Sequence, residues 1–238
     1  MKKRTVFERG FTLVELLIVI ALIAILSVAV LATINPIEQS NKARDSRVQN
    51  DAAEVLNAYE RYYSSKQRYP WEEFTNGGTE GAIGANDAVV LRSDTYGFGI
   101  CSDQNNQASL ISQDPMDAPT SCTGGTYANL LVQTSELKSS FAGKDEFQPV
   151  IVGTATGLTQ AMWVARVINA DSLYVCYVPK AKANREDTTK MRCITSAGVV
   201  QPIGTGSCAA AVTANWTVDP STLITAAPSA AVFRCVPE

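Results

Sequence analysis

The sequence predicts an α+β fold in which a long N-terminal helix packs on an antiparallel β-sheet head, and three patterns carry that reading. An apolar run fills residues 11–34. Apolar side chains recur at helical spacing from Val48 to Tyr63. Beyond residue 95, short segments rich in Val, Ile, Tyr and Trp alternate with turn residues. The helix divides into a transmembrane half and an amphipathic half, with a kink near Pro36.

Between Phe11 and Ile34 only Thr12, Glu15, Ser27 and Thr33 are not apolar. At 1.5 Å per residue such a helix runs roughly 36 Å, enough to cross a hydrocarbon layer about 30 Å thick. Lys2, Lys3, Arg4 and Arg9 precede it, so the positive-inside rule places the short N-terminus in the cytoplasm and the rest of the chain outside. The apolar run is too long for a secretory signal peptide and lacks the small-residue cleavage site at its end.

Pro36 removes a backbone donor and biases Asn35 away from helical geometry. Asn35, Pro36 and Glu38 also suit an N-cap, a first and a third helical position, so the helix is expected to bend here and continue. Val48, Ala52, Val55, Leu56, Tyr59, Tyr62 and Tyr63 then mark one face, with Arg47, Asp51, Glu54, Glu60 and Arg61 opposite. The helix is expected to end near residue 66, before Tyr69-Pro70, and the Gly-rich stretch from Asn76 to Asn86 reads as a loop. Strands are expected at Thr95–Cys101, Ala161–Ile168, Leu173–Val178 and Met191–Thr195, with a hairpin turn at 169–172. The Ala/Ser/Thr/Gly/Pro-rich tail from Gly204 to Pro228 reads as a loop in need of an external constraint.

Composition excludes much. The first ten residues carry four cations against Glu8, a net of +3, which leaves −6 for the remainder of a chain whose total is −3. An acidic exterior without a basic stripe shows no specific nucleic-acid site. The chain has no histidine, so it lacks the commonest general base and the commonest metal ligand; no catalytic set, metal site or cofactor is expected. Six cysteines, Cys101, Cys122, Cys176, Cys193, Cys208 and Cys235, lie in the region expected to be exported and fit no CxxC pattern, which reads as a disulfide framework. Gly97-Phe98-Gly99 lacks the helix and third glycine of a dinucleotide loop, and Asn215-Trp216-Thr217 fits a glycosylation triplet that is left unassigned.

Arg9-Gly10-Phe11-Thr12-Leu13-Val14-Glu15, with the apolar run behind it, resembles the prepilin signature of type IV pilins and pseudopilins. A basic leader, a glycine before the cut, a phenylalanine after it, a glutamate at the fifth mature position and a long apolar helix are all present. The resemblance implies cleavage between Gly10 and Phe11 by a prepilin peptidase that also methylates the Phe11 amine. It also implies that Glu15 acts in assembly by pairing with that amine, its own or a neighbour's. A carboxylate at this depth is otherwise a headgroup-solvated anchor.

The implied layout is a leader at 1–10, an assembly helix at 11–34, an amphipathic helix at 35–68 and an extracytoplasmic head at 69–238. The implied partners are further copies of the chain, the peptidase, an inner-membrane assembly platform and, before assembly, the membrane. The leading function is a structural, non-enzymatic subunit of a surface filament serving adhesion, motility or DNA uptake. The alternatives are a pseudopilin of a type II secretion-like or competence machine, and an ectodomain on an uncleaved signal anchor.

Residues 59–70, YERYYSSKQRYP, are similar to the helix end of type II secretion major pseudopilins, and Asp114-Pro115 is similar to a turn there. After Cys208 only Asp219 and Glu238 are acidic, too few for the calcium site of that subfamily. By analogy with the terminal disulfide of pilins, Cys208 is expected to pair with Cys235, leaving Cys101–Cys122 and Cys176–Cys193 as neighbours in sequence.

Overall fold

The computed structural model describes residues 10–33, 35–73, 75–76, 79–80, 89–93, 98–100, 130–147, 161–166, 172–195, 199–205, 208 and 232–237. The chain falls into two compact units, Met1–Asn41 and Lys42–Glu238.

In the first unit, helix α1 spans Leu13–Thr33 and helix α2, Pro36–Lys66, begins. The kink expected at Pro36 takes the form of a helix break. Asn35 caps the second helix: its Oδ1 accepts from the Glu38 amide at 3.2 Å and its carbonyl accepts from the Gln39 amide at 3.2 Å. Proline cannot donate into the preceding turn, and at the first helical position no donor is needed, so a new start is favoured over a bend.

In the second unit, α2 buries Val48, Ala52, Val55, Leu56, Tyr59 and Tyr62, the stripe its periodicity predicts. Tyr63 departs from that stripe. It is 38% exposed and stacks on Tyr69 at 4.7 Å between ring centroids. Asp51, expected on the outer face, is buried and pairs with Lys144 Nζ at 2.6 Å. The helix stops where Gln67 takes a left-handed φ of 59°, its amide donating to the Tyr63 carbonyl at 2.7 Å.

Short strands β1 (Thr75–Asn76) and β2 (Thr79–Glu80) pair antiparallel at the start of the stretch read as a loop. The main sheet contains, among the described residues, β3 (Val89–Arg92), β4 (Met162–Arg166), β5 (Leu173–Tyr177), β6 (Met191–Ile194), β7 (Val200–Pro202) and β8 (Val232–Val236). Its order is β3-β4-β5-β8-β6-β7, and every pairing is antiparallel. The strands expected near 161–168, 173–178 and 191–195 are β4, β5 and β6, and β4 and β5 form the expected hairpin. The segment from Thr95 was a misreading in its described part. Phe98–Ile100 are buried but form a bend, with Gly99 at φ 83°. A Cβ at Gly99 would come within 3.0 Å of Leu131 and Pro70, so this close turn admits glycine alone.

The core lies between α2 and one face of the sheet. Met162 and Val164 of β4 and Leu173, Val175 and Tyr177 of β5 join the α2 stripe, Trp71, Phe98 and Phe147. Alternation sends Trp163, Ala165, Cys176, Phe233 and Cys235 to the other face, and these are buried as well. Tyr59 is the central ring. It meets Trp71 and Phe98 edge-on at 5.3 and 5.8 Å, its hydroxyl donates to the Phe98 carbonyl at 2.6 Å, and burial pushes its phenol pKa well up.

Residues 130–147, which include helix α3 (Leu130–Gln133), bury Leu131, Phe141 and Phe147 beside α2. Ion pairs fasten this segment to the helix: Arg61–Glu136 at 2.9 Å, Arg47–Glu146 at 3.3 Å and Asp51–Lys144.

Two disulfides are described, and they correct the expected pairing. Cys176 bonds Cys235, and Cys193 bonds Cys208. Cys176 and Cys193 do lie on strands consecutive among those of the main sheet, but β8 sits between β5 and β6 and separates them. In the β5–β8 register Cys176 stands directly opposite Cys235, with Cα atoms 3.9 Å apart. Cys208 therefore cannot reach Cys235, and it turns instead to Cys193 on β6, 6.1 Å between Cα atoms. Cys101, Cys122, Asp114-Pro115 and Asn215-Trp216-Thr217 lie outside the described residues.

Candidate processing and assembly site

The residues singled out by the sequence gather at the start of α1. Gly10 is exposed, with nothing within 4 Å of the position a Cβ would take, and Phe11 is 83% exposed. The Gly10–Phe11 bond therefore lies in open chain ahead of the helix, where an enzyme cleft can reach it.

Thr12 was not singled out by the sequence reading, yet it organises this end. The Thr12 amide donates to Glu15 Oε2 at 2.8 Å, the Thr12 hydroxyl donates to the same oxygen at 2.9 Å, and the Glu15 amide donates to Thr12 Oγ1 at 3.3 Å. This is a capping box: the N-cap Thr12 and the third helical residue Glu15 satisfy each other's free donors. The spacing Thr-x-x-Glu ahead of an apolar run was the available signal. Glu15 Oε2 is thus held toward the helix start, next to Phe11, and the negative charge sits at the favourable end of the helix dipole.

Behind the cap, Leu13–Val30 is long and apolar enough to cross a membrane, and none of it is buried within the chain. Leu16, Leu17, Ile23, Ile25 and Val28 are all more than half exposed. Ser27 is satisfied locally, its hydroxyl donating to the Ile23 carbonyl at 2.7 Å. Such a surface demands a partner outside the chain.

Residues 7–31 carry the prokaryotic N-terminal methylation motif. The methylation motif is the signature of type IV pilins and pseudopilins, a structural family. It implies processing by a prepilin peptidase and assembly into filaments, and with the exposed apolar helix it fits membrane anchoring. No curated protein and no solved structure matches the chain.

The head holds buried charge that the sequence did not reveal. Asp45 is 1% exposed and accepts from the Lys180 amide at 2.8 Å, the Ala181 amide at 2.9 Å and Asn184 Nδ2 at 2.8 Å. It thereby holds the turn that leads into helix α4 (Lys182–Glu186), whose N-cap residue, Ala181, offers no side-chain cap. Ser93 links the main sheet to the 130–147 segment, its hydroxyl donating to the Glu146 carbonyl and accepting from the Met162 amide at 3.1 Å. Among the described residues no group of three or more Cys, Asp or Glu side chains is placed to hold a metal ion.

Proposed function

We propose that this chain is the structural, non-enzymatic subunit of a type IV pilus-like surface filament. In this reading residues 1–10 are a leader removed after Gly10, Phe11 becomes the methylated N-terminus, 11–34 is the assembly helix, and 35–68 leads into the head at 69–238. The N-terminus faces the cytoplasm before assembly and the head lies outside.

The observation that carries the reading is the pairing of the methylation motif with an apolar helix that finds no cover in its own chain. Lipid supplies that cover in the subunit, and copies of the same helix supply it in a filament. There Glu15 loses headgroup water, and its second oxygen, Oε1, is the one left for an ammonium such as the Phe11 amine of a neighbour.

Intact-mass analysis of native protein tests the processing: the expected species begins at Phe11 with one methyl group, and Gly10→Val leaves full-length precursor in the membrane. Retained Met1 in native protein would instead make the chain an uncleaved anchor. Electron microscopy tests the assembly. Glu15→Ala is expected to insert and form its disulfides but to yield few filaments, with Glu15→Asp intermediate; normal filament numbers and symmetry would remove Glu15 from assembly.

A further inference from the structure

Near the start of α2 within the head, carboxylates are buried and cations face outward. Asp45, Asp51 and Glu146 are each under a tenth exposed. Asp45 is fully engaged, with backbone amides and Asn184 on its oxygens and Arg44 Nη1 at 3.3 Å. Around it stand Arg44, Lys180 and Arg185, all half-buried. Burial, followed by repulsion from Arg44, holds the Lys180 ammonium below its ordinary pKa, even with Asp45 and Asp145 within electrostatic range. Among the described residues Lys180 is in no ion pair: its backbone amide serves Asp45 while its ammonium is left unmatched.

Further along the same helix Glu54 and Glu60 are exposed and likewise in no ion pair among the described residues. Lys180 is tied by its amide to the level of Asp45 on α2. Glu54 lies nine residues and Glu60 fifteen residues further on, about 14 and about 22 Å along the axis. The side chains of one copy do not bridge that gap. A second copy displaced along its α2 axis by about 14 Å brings Glu54 to the level of Lys180, and one displaced by about 22 Å brings Glu60.

We propose that the Lys180 cluster, with Arg44 and Arg185, is a docking surface for Glu54 or Glu60 of a second copy of this chain, a contact between heads that selects the axial stagger of neighbouring subunits. The proposal rests on the filament reading. Charge complementarity argues for a copy of the same chain as the occupant: apart from the leader the protein is acidic, and its α2 presents two carboxylates, about 14 and about 22 Å along the axis from the level of Lys180, that have no ion pair among the described residues.

Zero-length carbodiimide cross-linking of native filaments, assembled from a mixture of ¹⁵N-labelled and unlabelled subunits, tests it. A mixed-isotope isopeptide between Lys180 and Glu54 or Glu60 is expected, whereas a link from Lys180 to Asp145 reports the single copy. Lys180 joined only to its own chain or to a different protein would overturn the proposal. Lys180→Glu is expected to lower filament yield about fivefold, and the double variant with Glu54→Lys to restore it. The disulfide map and melting point of each variant show that its head folds. If no filaments exist, the filament reading fails by itself, and the same cross-linking on intact membranes still decides: a mixed-isotope link supports the head contact and its absence overturns it.

Discussion

Helices α1 and α2 follow one another with a single capping residue, Asn35, at the start of the second, yet they solve opposite problems. In α1 apolar side chains cover the whole circumference and those from Leu13 to Val30 are exposed; in α2 they form one stripe and nearly all are buried. Hydrophobicity alone therefore does not put a helix into a protein core. A stripe matches one sheet face, and the polar remainder stays wet; a helix apolar all round has no orientation that satisfies it in a small domain and needs an apolar surrounding. The two helices also hold their charges differently. Glu15 is served by Thr12 three residues away, whereas Asp45 is served by residues more than 130 positions later.

The strongest test of that contrast truncates one large side chain in each helix to alanine. Tyr59→Ala is expected to destabilise the head by about 3–5 kcal/mol, since Tyr59 fills the centre of the core, while Leu17→Ala in α1 leaves the head's melting transition unchanged. Denaturant unfolding in detergent micelles measures both, and equal losses would show that the helices share one core.

Disulfides come next. Removing Cys176–Cys235 frees a 59-residue separation and removing Cys193–Cys208 a 15-residue one. The chain-entropy account gives losses of about 4 and about 3 kcal/mol. Non-reducing peptide maps check the pairing directly, and a Cys208–Cys235 peptide would contradict the β8 register. Asp45→Ala strips the acceptor from two backbone amides and Asn184, an expected cost of about 2–3 kcal/mol, seen as early hydrogen exchange at residues 180–186.

Smaller effects belong to the helix start and the surface. Thr12→Ala is expected to cost about 1 kcal/mol of local helix stability at the start of α1, read as faster amide exchange there with no change in head melting. Lys180→Gln changes head stability by less than about 0.5 kcal/mol. Because the folded ammonium has the lower pKa, the unfolded chain binds the extra proton. The stability of the native head relative to the Gln variant therefore rises with pH between that lowered value and the ordinary 10.5. A fall over that interval would place an anion on Lys180.

By itself the sequence determined the features that depend on neighbours in the chain. The prepilin-like start, the apolar run, the buried stripe of α2, the end near residue 66 and the strands β4, β5 and β6 were all legible, because a run of apolar residues or a period of 3.6 or 2 needs no partner to be read. Capping at Thr12 and the restart at Asn35 also belong to this class, since Thr-x-x-Glu and Asn-Pro-x-Glu are local signals that need no distant partner.

Only the tertiary structure decided what depends on distant partners. The short strands β3 and β7 carry too little pattern to stand alone. The place of β8 between β5 and β6 is a long-range pairing, and it alone determines which cysteines face each other. Asp51 read as an outer residue because its helical angle lies off the apolar stripe; Lys144, 93 residues later, covers it. Asp45 and Glu146 are buried for the same reason. A carboxylate enters the interior only where remote amides and cations meet it, and chain-local pattern holds no record of where those groups arrive.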